Sequence, residues 1–266
     1  MIFSVSNISW NFDTYDEFYN LLKDNDIHNL EICPFKICNS WELNNNRIEE
    51  FKKTLKKYDI KPYSFQSIFY KINGNIVNDY DEMLFHFKNK IIPLSKTFNI
   101  KKVVFGSPKS RMIVRGLTEQ EIIYGYTNFF SEINKIITSN YPELLFCVEP
   151  NSKKYGCELF TNSDECIELI SQLKLSNIVC HIDTANLSLE NENGVNILNN
   201  SVKHFHVSEP FLKPFNTPSK DHTKYSKIFK KSNIESLTIE MLSVDDKTSC
   251  IDNLITSVNF VKNNYL

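Results

Sequence analysis

Along this chain, short runs of β-branched and aromatic residues alternate with longer stretches whose apolar positions recur at helical spacing. Such alternation marks βα units wound around a parallel sheet. Strands are predicted at Ile2–Ser6, Asn29–Cys33, Lys61–Ser67, Lys102–Gly106, Leu144–Glu149, Asn177–Asp183, Val202–Val207 and Ser236–Met241. Helices are predicted near 13–24, 44–59, 80–99, 118–140, 161–173, 192–200, 222–231 and 245–263. Thr118-Glu119-Gln120-Glu121 matches a capping box, and Thr161, Ser163 or Asp164 can cap the helix that carries Cys166-Ile167-Glu168-Leu169-Ile170. No Pro/Gly/Ser-rich linker interrupts the series, and glycine is scarce at six residues. Residues 1–266 therefore read as an α/β protein, a single (β/α)8 TIM barrel domain.

A parallel barrel gathers the C-terminal ends of its strands on one face, so polar residues that end successive strands meet although they are far apart in sequence. The fifth to eighth predicted strands end in Phe146-Cys147-Val148-Glu149, Cys180-His181-Ile182-Asp183, His204-Phe205-His206 and Thr238-Ile239-Glu240. Glu149 and Asp183 are 34 residues apart, Asp183 and His206 are 23 apart, and His206 and Glu240 are 34 apart, as one βα unit per step requires. Three carboxylates and an imidazole suit Mn2+, Mg2+, Co2+ or Zn2+, with no thiolate to select a softer ion.

Composition narrows the remaining classes. Hydrophobic residues at 41% and charged residues at 23% allow a large core without disulfides. With 30 basic and 32 acidic side chains, the net charge of −2 gives no general attraction to nucleic acid or to anionic membranes. The seven cysteines are an odd number without a C-x-x-C pair and read as reduced, buried small residues, of which Cys147 or Cys180 is best placed to line a site. The start MIFSVSNISWNFDTYDEFY turns polar and acidic too soon for a signal peptide, and no run reaches the ~18 apolar residues of a membrane span. The expected location is cytoplasmic.

VEPNSKKYG after the fifth strand, HIDTANL at the sixth, HFHVSEP at the seventh and LTIEM at the eighth resemble the xylose-isomerase-like sugar isomerase/epimerase superfamily. QSIFY and VVFGSPKSR resemble the third and fourth strand ends of its sugar phosphate isomerase/epimerase branch, so the resemblance spans nearly the whole chain. It implies that Glu149, Asp183, His206 and Glu240 hold a divalent metal ion. It also implies that Glu149 and Glu240 stand on opposite faces of a substrate carbon, one removing a proton beside a carbonyl and the other returning it. The activity implied is a metal-dependent isomerase or epimerase of carbohydrate metabolism with no organic cofactor. Its partner would be a small-molecule sugar or sugar phosphate, and members of the superfamily are often homo-oligomers. Ketose 3-epimerases of this kind carry a His three residues after the sixth-strand Asp and an Arg soon after the seventh-strand His; here those places hold Asn186 and the Leu212-Lys213 region.

Further candidates follow from position. Lys109 and Arg111, just beyond the fourth strand, are placed to clamp a phosphate or to be solvated loop charges. Glu31, Gln66, Asn151, Asn186 and Tyr155 fall at or after strand ends, where they can bond a polyol or satisfy the rim. Strand alternation turns His181 and His204 toward the interior one layer below Asp183 and His206. His222, with Asp221, is expected near the surface, closing over substrate or capping a helix. Trp10, Phe12, Phe35, Trp41 and Phe69 can wall the pocket or pack helices onto the barrel.

Three other readings stay open beside the isomerase. A polyol dehydratase would use almost the same residues, removing the same proton and then losing a hydroxyl. An apurinic endonuclease-like hydrolase needs more than the six histidines present, and needs a basic stripe for DNA that this charge balance does not offer. A barrel that only binds a partner would not need four intact ligands.

Overall fold

The computed structural model describes residues 1–11 and 16–266. Eight parallel strands close into a barrel in chain order: β1 Ile2–Ser6, β2 Asn29–Ile32, β3 Lys61–Phe65, β4 Lys102–Phe105, β5 Leu145–Val148, β6 Ile178–Asp183, β7 Val202–Val207 and β8 Ser236–Ile239. Around it lie α1 Asp16–Asp24, α2 Phe35–Cys38, α3 Asn45–Lys57, α4 Asp81–His86, α5 Ile92–Phe98, α6 Glu119–Asn140, α7 Ser163–Leu173, α8 Thr184–Leu189, α9 His222–Phe229 and α10 Lys247–Tyr265. Every predicted strand is present. Phe12 and the predicted helix start at 13–15 lie outside the described residues.

Local chemistry accounts for the boundaries. Thr118 and Glu121 form the capping box of α6, the Thr118 hydroxyl accepting the Glu121 N–H at 3.3 Å while the Glu121 carboxylate accepts the Thr118 N–H at 2.7 Å. The cap of α7 is Asn162, which accepts the Glu165 N–H at 3.0 Å, rather than one of the three residues around it. α4 and α5 join through a wide turn at Phe87–Ile91, where the N–H of Ile92 reaches back to the Phe87 carbonyl and Pro93 has no N–H to offer. The helix predicted near 192–200 is absent: only a short 3-10 turn, Val195–Leu198, forms there. The chain instead enters α8 directly from β6, because the Asp183 side chain accepts the Asn186 N–H at 2.9 Å and caps the helix.

The apolar core lies between the outer face of the barrel and the helices. Phe105 of β4 meets Phe129 and Phe130 of α6 and Phe146 of β5 with ring centroids 5.7, 6.2 and 5.2 Å apart. Each such ring, fully buried, contributes roughly 1.5–3 kcal/mol. Trp10 stacks on Phe18 of α1 at 5.1 Å, and Trp41 packs against Phe35 and His86, so these aromatics hold helices on the barrel rather than wall a site.

Inside the barrel the filling is polar. Ser4, Glu31, Ser64, Lys102, His181, His204, His206, Ser236 and Thr238 are all buried there. Branched aliphatic layers are the usual filling, so this interior is tolerable only where its groups bond one another. Two register shifts arrange that. One, between Leu30 and Glu31, sets Ser64 opposite Glu31; the other, between Cys180 and His181, sets His204 opposite His181 and His206 opposite Asp183. Among the described residues no helix is long and apolar enough to cross a membrane.

Gly125 marks where α6 presses on the loop before α4, since a Cβ there would lie 1.9 Å from the Val77 carbonyl oxygen. In an open helix Gly→Ala stabilises by up to ~1 kcal/mol. Gly125→Ala is expected instead to destabilise by about 1–3 kcal/mol, as overpacking does, measured by denaturant unfolding.

Candidate metal centre and active site

At the C-terminal mouth of the barrel, Glu149, Asp183, His206 and Glu240 each present a ligand atom, and these atoms all lie within 4.8 Å of one another. Glu149 and Glu240 sit just past the last residues of β5 and β8, while Asp183 ends β6 and His206 lies inside β7. Gly106 makes room for Glu149: a Cβ there would be 2.5 Å from its Oε2. Asp183 is aimed from both sides, by the Asn186 N–H and by the Ser208 hydroxyl, which donates to Oδ2 at 2.5 Å. His206 Nδ1 faces the carboxylates, 3.2 Å from Glu240 Oε2 and 3.7 Å from Glu149 Oε1.

This crowding shows in proton affinity. Burial, reinforced by Glu240, pushes the Glu149 carboxyl up to about 8 and that of Asp183 up to about 6. Burial opposes the charge of His206, but Glu31 and Glu240 beside it raise its pKa well above the ordinary imidazole value. Three carboxylates around one imidazole are short of positive charge, and four oxygen and nitrogen donors within reach of one point fit a divalent cation. Among the described residues a second group, His181, His204 and His206, also clusters, fully buried beneath the first. His181 has no hydrogen-bond partner on either ring nitrogen, and its Nε2 lies 3.7 Å from Glu149 Oε1.

A cavity of about 480 Å³ opens over Glu149, Asp183 and Glu240, while His206 is buried and does not line it. Gln66, Asn151, Asn186 and Tyr155 line it, with Ser67, Ser107, Phe211, Leu212 and Leu242. The Asn186 Nδ2 donates to the Thr161 carbonyl at 3.1 Å, which leaves its buried Oδ1 without a partner. Tyr155 accepts the Phe211 N–H at 2.9 Å and packs edge-on against its ring, holding a segment in which Phe211 and Leu212 both take positive φ, 61° and 54°.

Four residues expected at the mouth lie elsewhere. Glu31 is buried one layer down, because β2 continues past it and turns its side chain into the barrel, where His204 and His206 hold it. Arg111 is buried, donating through Nη1 to the Glu149 carbonyl at 2.8 Å and the Phe160 carbonyl at 3.4 Å, with its guanidinium over the Phe105 ring. It braces the backbone that carries Glu149. Lys109 is exposed and does not line the cavity. His222 is buried, not exposed, between Glu209 at 2.8 Å and the Tyr265 hydroxyl at 2.6 Å. Cys147 and Cys180 are buried away from the cavity, and all seven cysteines are free.

Ser208, Glu209 and Lys102 were not singled out by sequence. Ser208 and Glu209 follow β7, where the rule that strand ends face the site points to them; Lys102 shares the inward parity of Val104 but, as a lysine at a strand start, reads as solvated.

No known family model and no curated protein matches the chain in sequence. Solved structures do match in fold. A D-allulose 3-epimerase from Methylomonas sp., in complex with D-allulose, matches with a TM-score of 0.77 at 12% identity, covering 100% of this chain and 97% of the other. A probable 3-DHS dehydratase from Bacillus anthracis matches at 0.70 and 12%, covering 100% of both chains. A family 2 AP endonuclease from Brucella melitensis matches at 0.71 and 12%, covering 94% and 97%. The fold these structures share with the chain is the closed (β/α)8 barrel. Three different activities share it, so at this identity the likeness carries the fold and not the reaction.

Stability against pH follows from the crowding. Glu149 and His206 bind protons more tightly folded than unfolded, so their contribution is lost as pH rises toward their folded values; His181 and His204, lowered by burial, act the other way only below the ordinary histidine range. The melting temperature of metal-free protein is therefore expected to fall between about pH 6.5 and 8. Added Mn2+ should raise it and flatten that slope; a metal-free melting temperature that climbs across this window contradicts the assignment.

Proposed function

We propose that this chain is a metal-dependent epimerase or isomerase of an uncharged sugar, acting by proton transfer next to a carbonyl with Glu149 and Glu240 as the acid–base pair. The carrying observation is the convergence of both glutamates with Asp183 at the floor of a cavity of small-molecule size, with the buried His206 beside them. The likeness to a sugar 3-epimerase supports it. A bound divalent cation would supply Lewis-acid polarisation of the substrate carbonyl, which makes the adjacent C–H acidic.

The chain's own residues do the rest. Glu149 and Glu240 approach the cavity from β5 and β8, three strands apart around the rim, so a substrate carbon seated between them is within reach of two carboxylates, one to take a proton and one to give it. Asp183 and His206 serve as ligands held from behind. The unpartnered Asn186 Oδ1 accepts a sugar hydroxyl, at the place where ketose 3-epimerases carry histidine. Gln66, Asn151 and Tyr155 offer further neutral partners, and Phe211, Leu212 and Leu242 form an apolar wall that limits water.

The charge of the described lining residues favours a free sugar over a sugar phosphate. Among the described lining residues there is no lysine or arginine, while three are carboxylates. A phosphate dianion there would meet like charge with no donor cluster to hold it. An uncharged polyol ketone avoids that penalty.

Glu149→Gln and Glu240→Gln are each expected to lower exchange of substrate hydrogen with solvent deuterium by roughly 10²-fold or more, with the fold retained by circular dichroism. Exchange at the wild-type rate in both variants removes the two-base reading, and a product lighter by one water marks a dehydratase. In a matched pair, kcat/KM for the free sugar should exceed that for its phosphate by at least about tenfold, roughly 1.4 kcal/mol in the transition state. A preference for the phosphate overturns the substrate class.

A further inference from the structure

We propose that Glu31 is a positioning residue of the metal centre, fixing His206 through Nε2 so that Nδ1 is the atom turned to the cation. This rests on the reading that Glu149, Asp183, His206 and Glu240 bind that cation. Glu31 is fully buried on β2, in the layer below them. Its Oε2 accepts the Ser64 hydroxyl at 2.7 Å and lies 2.8 Å from His204 Nε2. Those two partners set the rotation of the carboxylate and leave Oε1 2.8 Å from His206 Nε2, an ion-pair contact that lies outside hydrogen-bond geometry in the metal-free chain. A carboxylate against Nε2 favours the tautomer that keeps its proton there and its free lone pair on Nδ1, and Nδ1 is the nitrogen that faces Glu149 and Glu240.

Glu31 is anchored in turn by a column that runs down the barrel. His204 Nδ1 lies 2.7 Å from the Ser236 hydroxyl, and Ser236 is 2.8 Å from Lys102 Nζ, which also donates to the Lys203 carbonyl. Lys102 is itself buried, so the column begins at a cation near the base, passes the Glu31 anion and ends at His206. A carboxylate held by both Ser64 and His204 resists swinging away from the His206 imidazole. If packing alone oriented His206, removing the charge of Glu31 would leave metal affinity unchanged.

The test is titration of Mn2+ alone into metal-stripped wild type, Glu31→Gln and Glu31→Ala, beside 15N-histidine NMR of the Zn2+-loaded wild type. Mn2+ binding is expected to weaken by about 10–100-fold in Glu31→Ala. Glu31→Gln, which keeps one acceptor oxygen of two, should fall between that variant and wild type. In wild type, His206 should keep its proton on Nε2 with Nδ1 ligated. Should the variants fail to fold, the wild-type spectrum still decides. Wild-type affinity in both folded variants, or His206 ligated through Nε2, overturns the proposal while leaving the cation site standing. Failure of the wild type to bind Mn2+ sinks the site itself, and this inference with it.

Discussion

Mutual repulsion among Glu149, Asp183 and Glu240 is the constraint around which the barrel mouth is built. Their ligand atoms share a region 4.8 Å across with His206, where burial removes most of the screening by water. Two like charges about 4 Å apart cost roughly 4 kcal/mol near a protein surface, and more in a drier place. Nothing in apolar packing calls for that arrangement. It persists because strand ends fix each side chain, and because Gly106, Ser208 and the first turn of α8 shape the space and aim the oxygens. Protons relieve the repulsion in the metal-free chain, and a divalent cation would relieve it better.

The polar interior is the counterpart of that mouth. An aliphatic filling would stabilise the barrel more simply, but it would leave His206 without a fixed partner behind it. The register shifts at Leu30/Glu31 and Cys180/His181 bring Ser64, His204 and His206 to the heights at which they can bond Glu31 and oppose Asp183. Fold stability therefore comes from the outer layer, where Phe105, Phe129, Phe130 and Phe146 interlock, and the inner layer is given over to holding the site. His181, buried with neither ring nitrogen hydrogen-bonded, shows that hydrogen bonding even here is incomplete.

The eight strands and the convergent candidate ligands were legible because both follow from periodicity: each strand is a short apolar run, and β5 to β8 each carry at or beside their ends a residue that can bind a metal. What sequence did not show was depth. Glu31 and Arg111 sit near strand ends and read as rim residues, yet one points inward a layer below the mouth and the other folds under the β5 loop to bind carbonyls. The same holds for His222, which a helix-start position suggested was exposed but which Glu209 and Tyr265 enclose. The helix expected at 192–200 failed for a related reason, since Asp183 caps a helix immediately after β6 and spends the connection early. Side-chain depth depends on partners supplied by distant strands, and linear spacing carries little information about them.

The most direct measurement of the central claim is anomalous diffraction from crystals of the protein grown with Mn2+. Expected is a single strong peak at the mouth of the barrel, within bonding distance of Glu149, Asp183, His206 Nδ1 and Glu240. A fully occupied crystal with no peak there, or with manganese held by other residues, would contradict it.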